Sequence, residues 1–236
     1  MGTLYVVATP IGNLEDITLR AIRILKEVDL ILCENVSESH RLLKHYEIST
    51  ATTNYYSNSK LDKIDKIIEM LEEGKNLALI SDAGTPCVSD PGSLLIERVV
   101  TQKIQVVSVP GATAVTALYS IAGVTGNRFA FYGFAPQKKG RETFFKNILN
   151  ICIKDEIPVI FYESVHRFEK CLININSAVE ASGLDRRVYK ITIGRELTKM
   201  YEEVVQGDID FVSKYFNENQ DKVRGEFVVM ISFNAK

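Results

Sequence analysis

Three short loops, rich in glycine, proline and small residues, follow apolar runs of this sequence and are its first candidates for chemistry. They read TPIGNLED (residues 9–16), DAGTPCVSDPG (82–92) and PGATA (110–114). Small side chains and prolines let a ligand approach rigid main chain closely, so backbone N–H and C=O groups would bind it. The loops contain no lysine, which suits a purine-containing cofactor better than a bare triphosphate. One such loop alone would be interpreted as a tight turn, but three at strand ends favour a cofactor site.

Several common catalytic motifs are absent from the sequence. It contains no G-x-G-x-x-G, no G-x-x-x-x-G-K-[ST] and no H-E-x-x-H, which excludes the ordinary dinucleotide fingerprint, the P-loop and the zincin motif. With three histidines and four widely spaced cysteines, we predict no metal site. The cysteines, expected to be reduced thiols, are Cys33, Cys87, Cys152 and Cys171.

The composition is that of a soluble globular protein. The 236 residues, 46% hydrophobic and 25% charged, are enough for one large domain or two small ones without disulfides. No apolar run approaches the ~18 residues of a membrane span, and the N-terminal residues do not resemble a signal peptide, so we expect a cytoplasmic protein. Proteins that bind nucleic-acid phosphates non-specifically are usually strongly basic, and the net charge of −2 excludes such an overall positive surface. It does not exclude a local basic patch.

Strand-like and helix-like stretches alternate along the chain, which predicts an α/β fold. Residues 77–81 and 106–109 are continuous apolar runs of the kind buried on both faces of a parallel sheet, and apolar spacing over 64–71 predicts a helix. The last three strand-like runs are 188–194, 200–205 and 226–233, with one helix among them. We therefore predict a mostly parallel sheet in an N-terminal domain (1–118) and a mixed sheet in a C-terminal domain (119–236).

Six segments together resemble the ribosomal RNA small subunit methyltransferase I family. They are LYVVATPIGNLEDITLR (4–20), LISDAGTPCVSDPG (79–92), VSVPGATA (107–114), FYESVHR (161–167), GRELTK (194–199) and RGE (224–226). The family belongs to the tetrapyrrole-methylase-like enzymes that use S-adenosyl-L-methionine (SAM). The resemblance implies two α/β domains with SAM in the cleft between them and a homodimer. It also implies 2′-O-ribose methylation of a decoding-region cytidine in 16S rRNA.

The resemblance also implies which residues bind the cofactor. In the N-terminal half and at the domain boundary these are Pro10, Ile11, Asp82, Ala83, Gly84, Thr85, Val88, Thr113 and Ala114. In the C-terminal half they are Tyr162, Glu163, Gly225, Glu226 and Phe227.

One segment departs from the family pattern, which has an acidic residue followed by Asp-Thr-Arg after the second strand. This chain has Glu34, which keeps the acidic residue, and then Asn35-Val36-Ser37. If the missing arginine binds RNA phosphate, Arg41 or Lys44 is a candidate to replace it. The departure bears on the substrate more than on the cofactor, because the three cofactor loops are intact.

The acceptor chemistry that the resemblance implies needs help from charged side chains. A ribose hydroxyl is a weak nucleophile at neutral pH, so a general base or a cation near the developing alkoxide would accelerate transfer. We predict Arg195 or Lys199 near the acceptor oxygen or its phosphate, and Glu163 as base or ribose contact. The alternative is that these charges form an ion-pair network.

A cationic surface would bind the RNA. Lys138, Lys139 and Arg141 form one basic loop and are predicted to contact rRNA. Candidates for stacking and phosphate contacts are Tyr55, Tyr56 and Arg41. Two other readings stay open. One is a SAM-dependent methyltransferase of the same fold that acts on a macrocycle or a protein, and the other is a non-catalytic SAM- and RNA-binding assembly factor.

Overall fold

The structure, a computed structural model, describes residues 1–56, 61–183 and 185–233. It divides into two compact units, Met1–Thr113 and Ala114–Lys236. The boundary predicted after residue 118 lies in the helix Ala114–Ile121, the first of the second unit, and it stays a prediction.

The first unit alternates strands and helices along its described residues. The strands are β1 (Thr3–Val7), β2 (Leu30–Cys33), β3 (Thr52–Asn54), β4 (Leu77–Ile80) and β5 (Gln105–Val109). The helices are α1 (Leu19–Glu27), α2 (Val36–His45), α3 (Leu61–Glu72) and α4 (Ser93–Thr101). The strands lie in the order β3-β2-β4-β1-β5, and every pair is parallel, which confirms the predicted parallel sheet.

Both faces of this sheet are covered by helices, which explains why its strands are apolar at consecutive positions. In β4, Leu77 and Leu79 belong to the core that α3 and α4 complete, and Ala78 and Ile80 belong to the core of α1 and α2. The predicted helix over 64–71 is confirmed within α3, whose buried side chains lie at the predicted spacing.

The second unit contains a mixed sheet, as predicted. Its described elements are α5 (Ala114–Ile121), β6 (Ala130–Phe134), α6 (Arg141–Lys154), β7 (Val159–Glu163), α7 (Phe168–Ser182), β8 (Tyr189–Arg195), β9 (Glu203–Gly207), α8 (Ile209–Glu218) and β10 (Phe227–Phe233). The strand order is β6-β7-β10-β8-β9. The pair β6–β7 is parallel and the other three pairs are antiparallel. Helices α6, α7 and α8 pack on the sheet around an apolar core.

Two elements differ from the sequence-based expectation. The strand β3 was not predicted, because three residues are too short to show a periodicity. The strand expected over 200–205 begins instead at Glu203, because a turn with positive φ at Glu196 (51°) and Thr198 (66°) occupies the preceding residues. Among the described residues, no helix has the length and apolar content that a membrane span needs.

Candidate functional site

The three predicted cofactor loops meet at the carboxyl edge of the first sheet. They follow β1, β4 and β5, which are neighbours in the sheet. Thr9 and Gly84 form an antiparallel bridge in which the Thr9 N–H donates to Gly84 O (2.8 Å) and the Gly84 N–H donates to Thr9 O (3.1 Å). The Thr85 hydroxyl donates to Ala112 O at 3.2 Å, which ties the second loop to the third. The loops therefore form one connected surface of main chain.

Gly84 lies where a side chain would fill the space between the loops. Its φ is +87°, a conformation that glycine adopts without strain. A Cβ atom at this position would lie 3.4 Å from Ile11 Cγ2 and 3.7 Å from Ala112 O. The space beside Gly84 is thus bounded by the first and the third loop. A cradle of this kind fits a cofactor held by backbone groups.

The other predicted cofactor contacts of the first unit lie around this cradle. Pro10 and Ile11 are buried, and Asp82 and Ala83 are exposed. Thr85, Val88 and Thr113 are partly buried, so each keeps some surface for a ligand. Ala114 is the first residue of the second unit and is also partly buried.

Three carboxylates lie in or beside the second loop, which contains Asp82 and Asp90 and is contacted by Glu34. Partial desolvation raises the pKa of Glu34 and of Asp82. Each carboxylate also accepts a hydrogen bond from a backbone N–H, Glu34 from that of Asp82 and Asp82 from that of Asn35, and this offsets part of the increase. Asp90 shows the larger effect, since burial and then the charge of Glu34 raise its pKa to about 6. Such a cluster favours a cation nearby, because a positive charge would relieve the mutual repulsion of the carboxylates.

The segment that departs from the family pattern contacts the same loop. The Asn35 N–H donates to Asp82 Oδ1 at 3.0 Å, and its side chain accepts from the Ser37 N–H to cap α2. Asparagine is a favourable N-cap residue for α2, because its side chain accepts a hydrogen bond from a backbone N–H of the first helical turn. Arg41 and Lys44, the candidate replacements for the missing arginine, are exposed on α2.

In the second unit, Glu163 is the centre of a buried ion-pair network. Its Oε2 accepts from Arg141 Nη2 at 2.6 Å, and its Oε1 accepts from the Ser164 N–H (2.8 Å) and from Arg167 Nε (3.0 Å). Arg141 also donates from Nε to Asn174 Oδ1 at 2.8 Å. Both carboxylate oxygens of Glu163 are thus occupied by donors. Neither Arg141 nor Asn174 was identified from the sequence as part of this network.

The GRELTK segment contains the last two residues of β8 and the beginning of the turn that leads to β9. Lys199 Nζ donates to Glu196 Oε1 (2.9 Å) and to Glu226 Oε2 (3.1 Å), and Glu196 Oε1 also accepts from the Glu226 N–H (2.9 Å). A Cβ atom at Gly225 would lie 2.4 Å from Glu196 Cδ, so the RGE segment needs glycine to admit that carboxylate. The structure thereby joins two of the predicted segments, GRELTK and RGE.

Arg195, at the end of β8, is buried, and only part of the hydrogen-bonding capacity of its guanidinium is used. Its Nε lies 3.3 Å from Glu203 Oε2, and Glu203 in turn accepts from Lys222 Nζ at 2.6 Å. Its Nη1 is buried and has no hydrogen-bond partner among the residues that the structure describes. Phe227, the last predicted cofactor contact, is buried and stacks on Phe168 with ring centroids 3.9 Å apart.

The predicted RNA contacts divide into exposed and buried side chains. Lys138 and Lys139 are exposed, as the prediction requires. Arg141 is 3% exposed and bound to Glu163, so the prediction that it contacts RNA is wrong. Tyr55 is 3% exposed within the apolar core of the first unit and is not available for stacking, whereas Tyr56 is exposed.

Comparisons with known proteins agree with the fold. The family model for Tetrapyrrole (Corrin/Porphyrin) Methylases matches residues 3–212. Ribosomal RNA small subunit methyltransferase I of Bacillus subtilis (strain 168) is 41% identical over 231 residues, which cover 98% of this chain and 75% of the relative. The protein of that name from Thermotoga maritima is 38% identical over 232 residues, 98% of this chain and 99% of the relative.

Solved structures of lower identity share the fold. The methyltransferase CobJ has a TM-score of 0.71 at 18% identity and covers 100% of this chain and 95% of its own. A diphthine synthase has a TM-score of 0.72 at 13% identity, over 98% of this chain and 90% of its own. The family model and the close relatives together lead to one conclusion. The chain belongs to the ribosomal RNA small subunit methyltransferase I family, and it is a methyltransferase that uses SAM.

Proposed function

We propose that this protein transfers a methyl group from SAM to the ribose 2′-oxygen of a cytidine in the decoding region of 16S rRNA. Its close relatives are named ribosomal RNA small subunit methyltransferases, which supports rRNA as the acceptor. The observation that carries the proposal is the joining of three loops by the Thr9–Gly84 bridge and the Thr85–Ala112 hydrogen bond. This arrangement suits a purine-containing methyl donor.

The loops of the first unit are proposed to hold the cofactor. SAM supplies a methyl group on a sulfonium centre, which is an activated leaving group. Main-chain groups around Gly84 would bind the neutral parts of the molecule, and the carboxylates near Asp82 favour its positive charges. The predicted contacts Tyr162, Glu163, Gly225, Glu226 and Phe227 remain part of the proposal.

Lys199 is proposed to act on the acceptor as a permanent cation. Burial alone would lower its pKa, but hydrogen bonds and charges from Glu196 and Glu226 outweigh burial and raise the pKa above its ordinary value. A lysine of raised pKa keeps its proton at neutral pH, so it is a poor base. It is suited to stabilise a developing alkoxide or a phosphate. The Arg195 Nη1 donor, which lacks a partner among the described residues, fits the same task.

Glu163 is proposed to orient neighbouring groups instead of taking a proton. Its two oxygens accept from Arg141, Arg167 and the Ser164 N–H, which leaves little room for a ribose hydroxyl. Through these bonds it fixes the end of β7, where the predicted contact Tyr162 lies.

The partners complete the proposal. Lys138 and Lys139 would contact RNA phosphates, and the protein would act in the cytoplasm as a homodimer on the small ribosomal subunit. Light scattering of the purified protein tests the dimer, and a monomer mass at micromolar concentration would contradict it.

The methyl position can be tested directly. Small ribosomal subunits from a strain that lacks the gene are incubated with the protein and methyl-labelled SAM, and the rRNA is then hydrolysed in alkali. A 2′-O-methyl group blocks cleavage of the adjacent phosphodiester, so label in an alkali-resistant dinucleotide beginning with cytidine supports the proposal. Label in ordinary mononucleotides would indicate base methylation and contradict it.

A further inference from the structure

A bulge in the edge strand β6 brings three aromatic rings together. The register with β7 pairs Phe131 with Ile160 and Phe134 with Tyr162, with a shift between them at Gly133, whose φ is +61°. In a regular strand, residues 131 and 133 would share a face; the extra residue places Phe134 on that face instead. The Tyr162 ring centroid accordingly lies 5.0 Å from that of Phe131 and 5.3 Å from that of Phe134.

These three residues form a surface that we call the aromatic patch. Phe134 is 55% exposed, and Phe131 and Tyr162 are partly exposed. The neighbouring Tyr132 is 42% exposed and packs from the opposite face against Phe144. Single exposed apolar side chains are common on protein surfaces, but a contiguous cluster of exposed aromatic rings indicates a binding surface.

A basic loop is fixed beside the aromatic patch. The loop begins right after Phe134, where the Ala135 N–H donates to Tyr162 O at 3.1 Å. The buried Arg141 donates from Nη1 to Pro136 O at 2.9 Å and from Nη2 to Glu163, the residue that follows Tyr162. The loop is therefore bound at both ends to β7. Between these anchors Lys138 and Lys139 project as exposed cations.

We propose that Phe134, the exposed ring of the aromatic patch, stacks an unpaired nucleobase of the RNA substrate while Lys138 and Lys139 bind the adjacent phosphates. The inference rests on the proposed RNA acceptor and deepens it by naming a subsite. Every base has a π-face, and exposed rings beside cations are the combination that binds single-stranded RNA. A second copy of the chain is a less suitable partner for the patch. In a two-fold symmetric contact the same surface of both copies meets, so Lys138 and Lys139 of one copy would face the same lysines of the other and repel them.

The experiment compares two phenylalanines of similar exposure, 55% for Phe134 and 53% for Phe211. Phe134→Leu removes a ring of the patch, and Phe211→Leu removes a ring that is 53% exposed on α8. Binding is measured by fluorescence anisotropy with a labelled RNA hairpin that has an unpaired loop, and with a duplex of the same length. We expect Phe134→Leu to weaken hairpin binding about tenfold and to leave duplex binding unchanged. Phe134→Trp keeps an aromatic ring at this position and should retain normal hairpin binding. Phe211→Leu should bind as the unaltered protein does.

The cations are tested in the same assay. Replacing Lys138 and Lys139 by alanine should lower the slope of log affinity against log salt by about 1.4, while SAM affinity stays constant. Equal hairpin affinities for Phe134→Leu and Phe211→Leu would overturn the proposal. Loss of SAM affinity in Phe134→Leu would assign the patch to the cofactor, and a change from dimer to monomer with unchanged RNA binding would assign it to self-association. Failure of the unaltered protein to methylate or bind any RNA would instead refute the proposed function itself.

Discussion

Arg141 Nη2 lies 2.6 Å from Glu163 Oε2, and both side chains are almost completely buried. The arginine begins α6 and the carboxylate ends β7, so the pair fixes the start of a helix to the end of a strand. Asn174 and Pro136 O occupy further donors of the guanidinium, which is how a buried charge becomes tolerable.

Breaking this buried ion pair is expected to lower the free energy of unfolding much more than breaking an exposed one. Arg141→Met leaves Glu163 with one guanidinium partner in an apolar surrounding, and it should lower the free energy of unfolding by about 3–5 kcal/mol. Arg23→Met breaks the exposed pair with Glu27 and should cost less than about 1 kcal/mol. Urea denaturation measures both, and equal values for the two variants would show that the buried pair is not structural.

The cradle beside Gly84 predicts a loss of cofactor binding on substitution. Gly84→Val places a side chain between Ile11 and Ala112 and should abolish SAM binding measured by calorimetry. Gly74→Val is the matched control, because Gly74 also has a positive φ (94°) but open space around its Cβ position. Both variants carry similar backbone strain, so a folded Gly84→Val protein with normal SAM affinity would refute the placement of the cofactor.

The carboxylate cluster predicts a pH-dependent gain in stability for Asp90→Asn. Burial and the charge of Glu34 raise the folded-state pKa of Asp90 to about 6, so the folded protein holds this proton more tightly than the unfolded chain. Stability from this group is present below pH 4 and is lost as the pH rises through 6. Asp90→Asn should therefore raise the free energy of unfolding by about 1–2 kcal/mol at pH 7.5 and by much less at pH 4.

The control for this change is Asp221→Asn, at an exposed position of the second unit, which should alter stability little at either pH. Urea titrations of the ligand-free protein at both pH values provide the measurement. An Asp90→Asn protein no more stable than the unaltered one at pH 7.5 would contradict the burial of this charge.

The salt bridges of Lys199 predict a role as a cation. Lys199→Met should lower the methyl-transfer rate constant by about 10²–10³-fold without changing SAM affinity, because one electrostatic donor is lost. Lys199→Arg keeps the charge and should restore part of the rate. Lys214→Met removes an exposed lysine of α8 and should have no effect. A normal turnover number for Lys199→Met would exclude the residue from the site.

The sequence was sufficient to predict that the three loops meet, because their placement follows from the topology of a parallel sheet, whereas their binding of the cofactor stays a prediction. Parallel strands end at one edge of a sheet, and loops after β1, β4 and β5 meet there once these strands are neighbours. The joining of GRELTK to RGE follows from the antiparallel pairing of β8 with β10, which brings Arg195 opposite Phe227. That pairing is a long-range contact that no local pattern reveals.

Two errors have a common physical cause, which is that residue type does not give the direction of a side chain. Arg141 follows two exposed lysines in a polar loop, yet it turns inward because Glu163, 22 residues away, offers it a buried partner. Tyr55 precedes an exposed tyrosine and is itself packed in the core of α3 and α4. Arg141 is directed by one distant carboxylate, and Tyr55 by a core whose members are spread along the first unit.

The most direct test of the proposed function examines the cofactor site beside Gly84 and the proposed acceptor in one experiment. Small ribosomal subunits from a strain that lacks the gene are treated with SAM and the unaltered protein, Gly74→Val or Gly84→Val, and 2′-O-methylcytidine in the 16S rRNA is quantified by mass spectrometry. We expect near-stoichiometric modification by the unaltered protein and by Gly74→Val, and none by Gly84→Val. An unaltered protein that binds SAM but leaves every cytidine of these subunits unmodified would contradict the proposed function.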